Sequence, residues 1–246
     1  MRNLLILILF LTPFLATSGF AADYAREKKW ADEVVPGIVV GDPVYLKQAN
    51  RHEFLALYTP ANDAKSAVIV VHGMGIHPDW GLIGVLRTSL ADEGYTTLSV
   101  QMPVLKNEAK VEDYAPTFPE AGERLKLAVD FLKSKGYDRI AIVSHSLGSR
   151  MTYAYLTGNP DPAVRTWVAL GISGNEDFRK LRLPVLDLYG EHDLPEVLAG
   201  AKARQKALLG KETSQQRSMP GADHFYTDQD KKLVKAVTDY LNPIFK

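Results

Sequence analysis

The sequence has no cysteine, no net charge and no apolar run as long as the roughly 20 residues that span a bilayer. Without cysteine, the chain has no disulfide, no thiolate metal site and no cysteine nucleophile. The 29 basic and 29 acidic residues cancel, so the electrostatic footprint of a nucleic-acid-binding protein is missing and we expect no nucleic-acid partner. The 246 residues, 46% hydrophobic and 24% charged, suit one globular domain with a full core.

The first apolar run has the features of a signal peptide. Arg2 supplies a short positive start, Leu4–Leu15 is almost entirely apolar, and small residues precede the expected cut. This pattern predicts a signal peptide over residues 1–22, cleaved after Ala21 or Ala22, in a periplasmic or secreted bacterial protein with no stable membrane anchor after cleavage. The alternative is an uncleaved anchor, which the shortness of the apolar run disfavours.

The rest of the chain alternates between short apolar runs and amphipathic stretches. The predicted strands are residues 44–46, 53–58, 67–71, 96–100, 140–143, 166–172, 183–189 and 214–219. The predicted helices are residues 23–35, 80–93, 120–135, the stretch that ends at Gly158, 195–209 and 228–241. The first two strands predict an antiparallel hairpin, and the later alternation predicts a mostly parallel sheet with helices on both faces, in a single domain over residues 23–246.

A serine lies where a buried strand gives way at once to a helix. A serine on so abrupt a turn is held in strain with its hydroxyl clear of the backbone, which makes Ser146 the candidate nucleophile. Such a turn needs small residues on both sides, and Ser144 and Gly148 meet that need, although glycine is more usual at the first position. The N–H of Leu147, at the start of the helix, can point toward a developing negative charge.

A serine hydroxyl needs a base and a carboxylate to act near neutral pH. His224 is the best candidate base because it lies in a turn after the last strand, and Asp193 is the best candidate acid because it follows the preceding strand. The alternatives are a surface histidine and a helix N-cap, respectively. Glu191 and Asp223 are rival carboxylates that are less well placed.

A glycine-rich loop follows the strand at residues 67–71. In His72-Gly73-Met74-Gly75 the glycines let the backbone bend, so that the Met74 N–H faces the same point as the Leu147 N–H and completes an oxyanion hole. An ordinary loop is the alternative. Because each of the four candidate stretches follows a strand, we expect them at one edge of the sheet.

Other features of the sequence favour structural roles. The histidines lack the spacing of a metal site, so we expect no metal and no cofactor, and His72 is predicted to bond to its own loop backbone. The three tryptophans, Trp30, Trp80 and Trp167, are predicted to pack in the core or against helices and not to form a substrate platform.

Taken together, these motifs resemble the α/β-hydrolase superfamily from about residue 44 to the end of the chain. The residues that carry the resemblance are His72, Gly73, Gly75, Ser144, Ser146, Gly148, Asp193 and His224. The resemblance implies a three-layer fold, Ser146 as nucleophile, Asp193 as acid and His224 as base, in the chain order that the superfamily uses. It also implies the N–H groups of Met74 and Leu147 as the oxyanion hole. Ser144 departs from the common glycine. More narrowly, the chain resembles exported bacterial members of this fold that have no settled function.

The resemblance also bears on access to the site. Members of the superfamily often carry a lid after the strand that follows the serine helix, but here only residues 173–182 separate that strand from the next. We therefore expect no lid domain and an open site, roofed at most by a long surface loop over residues 104–119. Tyr114 and Phe118 of that loop are expected to face solvent or to line the site.

The function that follows is that of a serine hydrolase cleaving an ester, thioester or amide through an acyl-enzyme. An open site suits a small-molecule or surface-attached acyl substrate. An acyltransferase with the same triad is a close variant. The alternative from another class is a non-catalytic binding protein of the cell envelope with this fold.

Overall fold

A computed structural model describes residues 22–174 and 176–245. The predicted signal peptide lies outside these residues except for Ala22. Within the described ranges, no helix has the length and apolar character needed to cross a bilayer.

An eight-stranded sheet forms the middle layer, in the order β1-β2-β4-β3-β5-β6-β7-β8. The strands are β1 (Asp42–Lys47), β2 (Glu53–Thr59), β3 (Ala67–Val71), β4 (Thr96–Val100), β5 (Ile140–His145), β6 (Val164–Leu170), β7 (Val185–His192) and β8 (Gln215–Asp223). The pairings of β2 with β1 and with β4 are antiparallel, and all other pairings are parallel. This confirms the predicted hairpin and the mostly parallel sheet.

Six α-helices cover the sheet in the described part of the chain. They are α1 (Tyr24–Val34), α2 (Gly81–Asp92), α3 (Phe118–Ser134), α4 (Leu147–Thr157), α5 (Pro195–Leu208) and α6 (Asp230–Phe245). Alternation along the strands explains why both faces are covered: in β3, Ile69 packs with α3 and α4, whereas Val68 and Val70 pack with α2 and α6. Burial of each such side chain contributes about 1.5–3 kcal/mol to the free energy of unfolding. The three-layer prediction is thereby confirmed.

The region between β4 and α3 differs from the prediction. Residues 104–119 are not a simple surface loop, because a 3-10 helix forms at Val111–Thr117 and α3 begins at Phe118. Tyr114 is buried, and its hydroxyl accepts a hydrogen bond from the Leu105 N–H at 3.0 Å. The expectation that Tyr114 faces solvent or lines the site was therefore wrong. A single aromatic anchor carries no periodic signal, so its burial could not be predicted from local pattern.

No lid is inserted where the superfamily often carries one. Between β6 and β7 the described residues hold only a short 3-10 helix, Phe178–Lys180. The prediction that no lid domain is inserted here is thereby confirmed.

Candidate active site

The four candidate stretches meet at the carboxyl edge of the sheet. His72 follows β3, Ser146 follows β5, Asp193 follows β7 and His224 follows β8. These strands are parallel, so their carboxyl ends lie on the same side of the molecule.

Ser146 occupies a strained turn between β5 and α4. Its backbone has φ 54° and ψ −126°, a conformation that residues with a side chain rarely adopt. The turn is held from both sides, because β5 is buried along its length and the Ser146 N–H donates to the Leu170 carbonyl at 2.8 Å. The hydroxyl is thereby presented at the end of the sheet.

The residues on either side of Ser146 permit this turn. A Cβ on Gly148 would lie 2.2 Å from the His72 carbonyl oxygen, so only glycine fits where α4 meets the loop after β3. Ser144 is buried, and its hydroxyl donates to the Ser149 hydroxyl at 3.0 Å. Serine is thus accommodated at the position where glycine is more usual.

Ser146, His224 and Asp193 form a continuous chain of hydrogen bonds. Ser146 Oγ lies 3.0 Å from His224 Nε2, and His224 Nδ1 lies 2.6 Å from Asp193 Oδ1. If Nδ1 carries the proton and donates to the carboxylate, Nε2 is free to accept the serine proton. This arrangement can convert a serine hydroxyl into a nucleophile.

The Asp193 carboxylate is buried but well satisfied. Besides the contact with His224, it accepts hydrogen bonds from the N–H groups of Gly190 at 3.0 Å and Leu194 at 2.8 Å. Burial by itself raises the pKa of Asp193, but the hydrogen bonds from His224 and the backbone outweigh burial and hold that pKa below its usual value. The carboxyl is therefore charged at neutral pH.

The rival carboxylates point elsewhere. Glu191 accepts from the Gly221 N–H at 2.9 Å, and Asp223 accepts from the N–H groups of Phe225 and Thr227. In the described parts of the chain, neither of these two carboxylates is hydrogen-bonded to the His224 ring. Asp193 does not cap the following helix either, because the N-cap of α5 is Leu194.

The glycine-rich loop lies directly against Ser146. A Cβ on Gly73 would be 3.1 Å from Ser146 Cβ, and both Met74 and Leu147 line the same cleft as Ser146. The Leu147 N–H lies in the first turn of α4, where backbone donors have no acceptor within the helix. Both N–H groups thus belong to elements that meet at the serine, as an oxyanion hole requires.

His72 and His145 are buried and neutral. His72 Nδ1 donates to the Gly73 carbonyl at 2.7 Å and Nε2 accepts from the Met102 N–H at 2.9 Å, which agrees with the predicted bond to the loop backbone. Burial lowers the pKa of His72 to about 3, and burial with the nearby His224 lowers that of His145 to about 4. No grouping of three metal-ligating side chains occurs in the described parts of the chain.

The site opens into a cleft of about 590 Å³. Its lining includes Ser146 and His224 together with the aromatic side chains of Trp80 and Phe225. Trp80 was predicted to pack in the core or against a helix and not to form a substrate platform. It is instead 37% exposed at the start of α2 and lines the cleft, so its placement in the core was wrong. Trp167, in contrast, is fully buried as predicted.

One residue of the site belongs to none of the motifs in the sequence. Gly171 directly follows β6 with φ 56°, and a Cβ there would lie 3.0 Å from His224 Nδ1 and 3.2 Å from Asp193 Oδ2. Its position immediately after a parallel strand was the available signal, because the other stretches of the site share that placement. The glycine leaves room for the histidine and carboxylate to meet.

Comparisons of the sequence match one family model and no curated protein. A family model described as a protein of unknown function (DUF3530) matches residues 42–123, which is about a third of the chain and includes the glycine-rich loop but not Ser146. No curated protein sequence matches the chain.

Solved structures of hydrolases and esterases superpose on most of the chain. Dienelactone hydrolase from Anabaena variabilis has a TM-score of 0.66 at 18% identity, over 83% of this chain and 99% of that one. An esterase domain from Rhodothermus marinus has a TM-score of 0.64 at 14% identity, over 82% and 98%. A serine hydrolase without a lid from Xanthomonas campestris has a TM-score of 0.61 at 12% identity, over 85% and 96%. The chain therefore has the fold of α/β hydrolases without a lid.

Proposed function

We propose that the protein is a serine hydrolase that cleaves an ester, thioester or amide through an acyl-enzyme on Ser146. The observation that carries the proposal is the unbroken hydrogen-bond chain from Ser146 Oγ through His224 to the charged, buried Asp193. The fold shared with esterases and other hydrolases supports it.

The first half-reaction forms the acyl-enzyme. His224 Nε2 takes the proton of Ser146 as Oγ attacks the substrate carbonyl, and Asp193 stabilises the imidazolium and keeps its orientation. The N–H groups of Met74 and Leu147 hold the oxyanion of the tetrahedral intermediate. The bond to the leaving group then breaks, and His224 gives the proton to the leaving atom.

The second half-reaction releases the acid. A water molecule gives a proton to His224 and attacks the acyl carbon, and the proton then returns to Ser146 Oγ as the ester bond to the enzyme breaks. An alcohol in place of that water would make the enzyme an acyltransferase. Adding an alcohol to the assay and measuring the new ester against the free acid distinguishes the two fates.

The test of the proposal uses covalent labelling and turnover. Wild-type protein is expected to react with a fluorophosphonate probe and to hydrolyse p-nitrophenyl acetate. Ser146→Ala is expected to lose the labelling and several orders of magnitude in rate while keeping the wild-type circular dichroism spectrum. Ser173→Ala is the matched control, because Ser173 lines the same cleft without bonding to His224.

The outcome also separates the alternative class of function. A folded wild-type protein that neither reacts with the probe nor hydrolyses the ester would favour a non-catalytic binding protein. Full activity in Ser146→Ala would refute the assignment of Ser146 as the nucleophile. The signal-peptide prediction directs the search for the natural substrate to the periplasm or the exterior of the cell.

A further inference from the structure

Two exposed aromatic side chains form one wall of the cleft. Trp80 is 37% and Phe225 47% exposed, and their ring centroids are 5.5 Å apart in an edge-to-face arrangement. Met74 and Leu194, both also exposed, line the same cleft. Large apolar side chains grouped around a polar site are typical of a ligand-binding surface, because their exposure to water is otherwise unfavourable.

The aromatic wall lies beside the histidine. Phe225 follows His224 in the chain, and the two ring centroids are 5.2 Å apart. During acylation His224 Nε2 must be within hydrogen-bond reach of the atom that leaves, so the leaving group occupies the space next to this histidine. The wall formed by Trp80 and Phe225 therefore borders the path of the leaving group.

The residues that line the cleft come from both faces of the sheet. Trp80 and Phe225 precede α2 and α6, which cover one face of the sheet, whereas Val111 and Arg150 belong to segments on the opposite face. Arg150 Nε donates to Glu176 at 2.8 Å, so its charge is already paired. The lining of the cleft is thus drawn from both faces of the sheet, with the aromatic pair on one side and Val111 and Arg150 on the other.

On the basis of the proposed function, we propose that Trp80 and Phe225 bind the leaving group of the substrate and that this group is an aromatic or bulky apolar alcohol. The acyl group then extends from Ser146 toward Val111 and Arg150. The C–O bond of the ester breaks, the alcohol oxygen takes the proton from His224, and the released alcohol departs along the aromatic wall. An aromatic ring packed against this pair gains edge-to-face or stacked contacts that an aliphatic ether chain lacks.

The test measures selectivity for each side of the ester separately. Benzyl acetate and 2-methoxyethyl acetate share the acyl group and differ in the leaving alcohol. The esters p-nitrophenyl acetate and p-nitrophenyl butyrate share the leaving group and differ in the acyl chain. The kcat/KM ratios for both pairs are compared in wild type, Trp80→Ala, Phe225→Ala and the control Leu209→Ala, whose side chain is exposed beyond the end of α5.

We expect wild type to prefer benzyl acetate and each aromatic variant to lose about tenfold of that preference, while the acetate-to-butyrate ratio stays within about twofold. Trp80→Leu and Phe225→Leu, which keep apolar bulk, serve if an alanine variant does not fold. A change in the acyl ratio with an unchanged alcohol ratio would assign the wall to the acyl group and overturn the inference. Unchanged ratios for both pairs, or a probe-reactive enzyme that rejects benzyl acetate, would overturn it as well.

These outcomes are separate from the test of the hydrolase itself. If Ser146→Ala abolishes probe labelling and the aromatic variants keep wild-type selectivity, the proposed function stands and the leaving-group site is wrong. If wild type reacts with neither probe nor ester, both proposals are refuted.

Discussion

Trp167 donates its indole N–H to the Ser144 hydroxyl at 2.7 Å in the interior of the protein. Trp167 is on β6 and Ser144 on the neighbouring β5, two residues before the candidate nucleophile. The serine that departs from the usual glycine of this turn thus supplies the acceptor that a fully buried indole needs. The departure is explained by packing between two strands and leaves the turn itself intact.

Removing this hydroxyl is expected to reduce stability more than activity. Ser144→Ala leaves the Trp167 N–H without its acceptor in the core, which costs about 1–3 kcal/mol in the free energy of unfolding. In a Trp167→Phe background, which lacks the donor, the same substitution is expected to cost about 1 kcal/mol less. Urea unfolding of the four proteins of this cycle measures the coupling. If the losses in the free energy of unfolding were strictly additive, the hydrogen bond between Trp167 and Ser144 would not contribute to stability.

Replacing the candidate acid is expected to abolish most of the activity. Asp193→Asn keeps the shape but no longer accepts the His224 Nδ1 proton as a carboxylate, so kcat is expected to fall by about three to four orders of magnitude. Glu191→Gln is the matched control, since Glu191 is a neighbouring carboxylate bonded to Gly221 and not to the histidine. Equal losses in the two variants would refute the role of Asp193.

Most of the fold and the positions of the candidate triad could be predicted because both depend on local patterns. The core strands β3, β4 and β5 are short runs buried along their whole length, and such runs are recognisable without knowledge of their partners. The candidates Ser146, Asp193 and His224 follow directly from where strands end. The edge of a parallel sheet then brings them together even though they are far apart in the chain.

What could not be predicted depends on contacts between distant segments. Trp80 looks like any apolar residue at the start of a helix, and only the position of α2 beside the sheet edge leaves it in the cleft. Tyr114 sits in a stretch without periodicity, and its burial follows from the fit of the chain over α3. Gly171 matters because it has no side chain where His224 packs against it. That requirement comes from packing between distant segments and leaves no pattern in the sequence.

A methyl group at Gly171 is expected to disturb the site. In Gly171→Ala the new Cβ would press on the contact between His224 and Asp193, so kcat is expected to fall by roughly ten- to a hundredfold. Gly94→Ala is the matched control, because Gly94 also has a positive φ, of 88°, but a Cβ there meets nothing within 4 Å. Both variants are expected to lose about 1–2 kcal/mol of stability from the strained backbone. A control that loses as much kcat as Gly171→Ala would refute the packing argument.

The two neutral histidines predict how stability depends on pH. Below the unfolded-state pKa of about 6.5, the unfolded chain binds protons at His72 and His145, whereas the folded protein does not until pH approaches about 3 and 4. The unfolded state therefore binds more protons in this window. The contribution of these two neutral histidines to the free energy of unfolding is fully present above about pH 6.5 and is lost as the pH falls. At pH 5 each histidine is expected to lower the free energy of unfolding by on the order of 2 kcal/mol relative to its value above pH 6.5.

His72→Asn isolates the share of one of these histidines. The asparagine amide still donates toward the Gly73 carbonyl but does not titrate, so the loss of unfolding free energy between pH 7.5 and pH 5 is expected to be smaller than in wild type by about 2 kcal/mol. Gly94→Ala, destabilised without losing a titratable group, is expected to keep the wild-type pH dependence. Urea unfolding at the two pH values gives the comparison. An equal loss in His72→Asn and wild type would mean that His72 is already protonated in the folded protein, in conflict with its buried acceptor contact to the Met102 N–H.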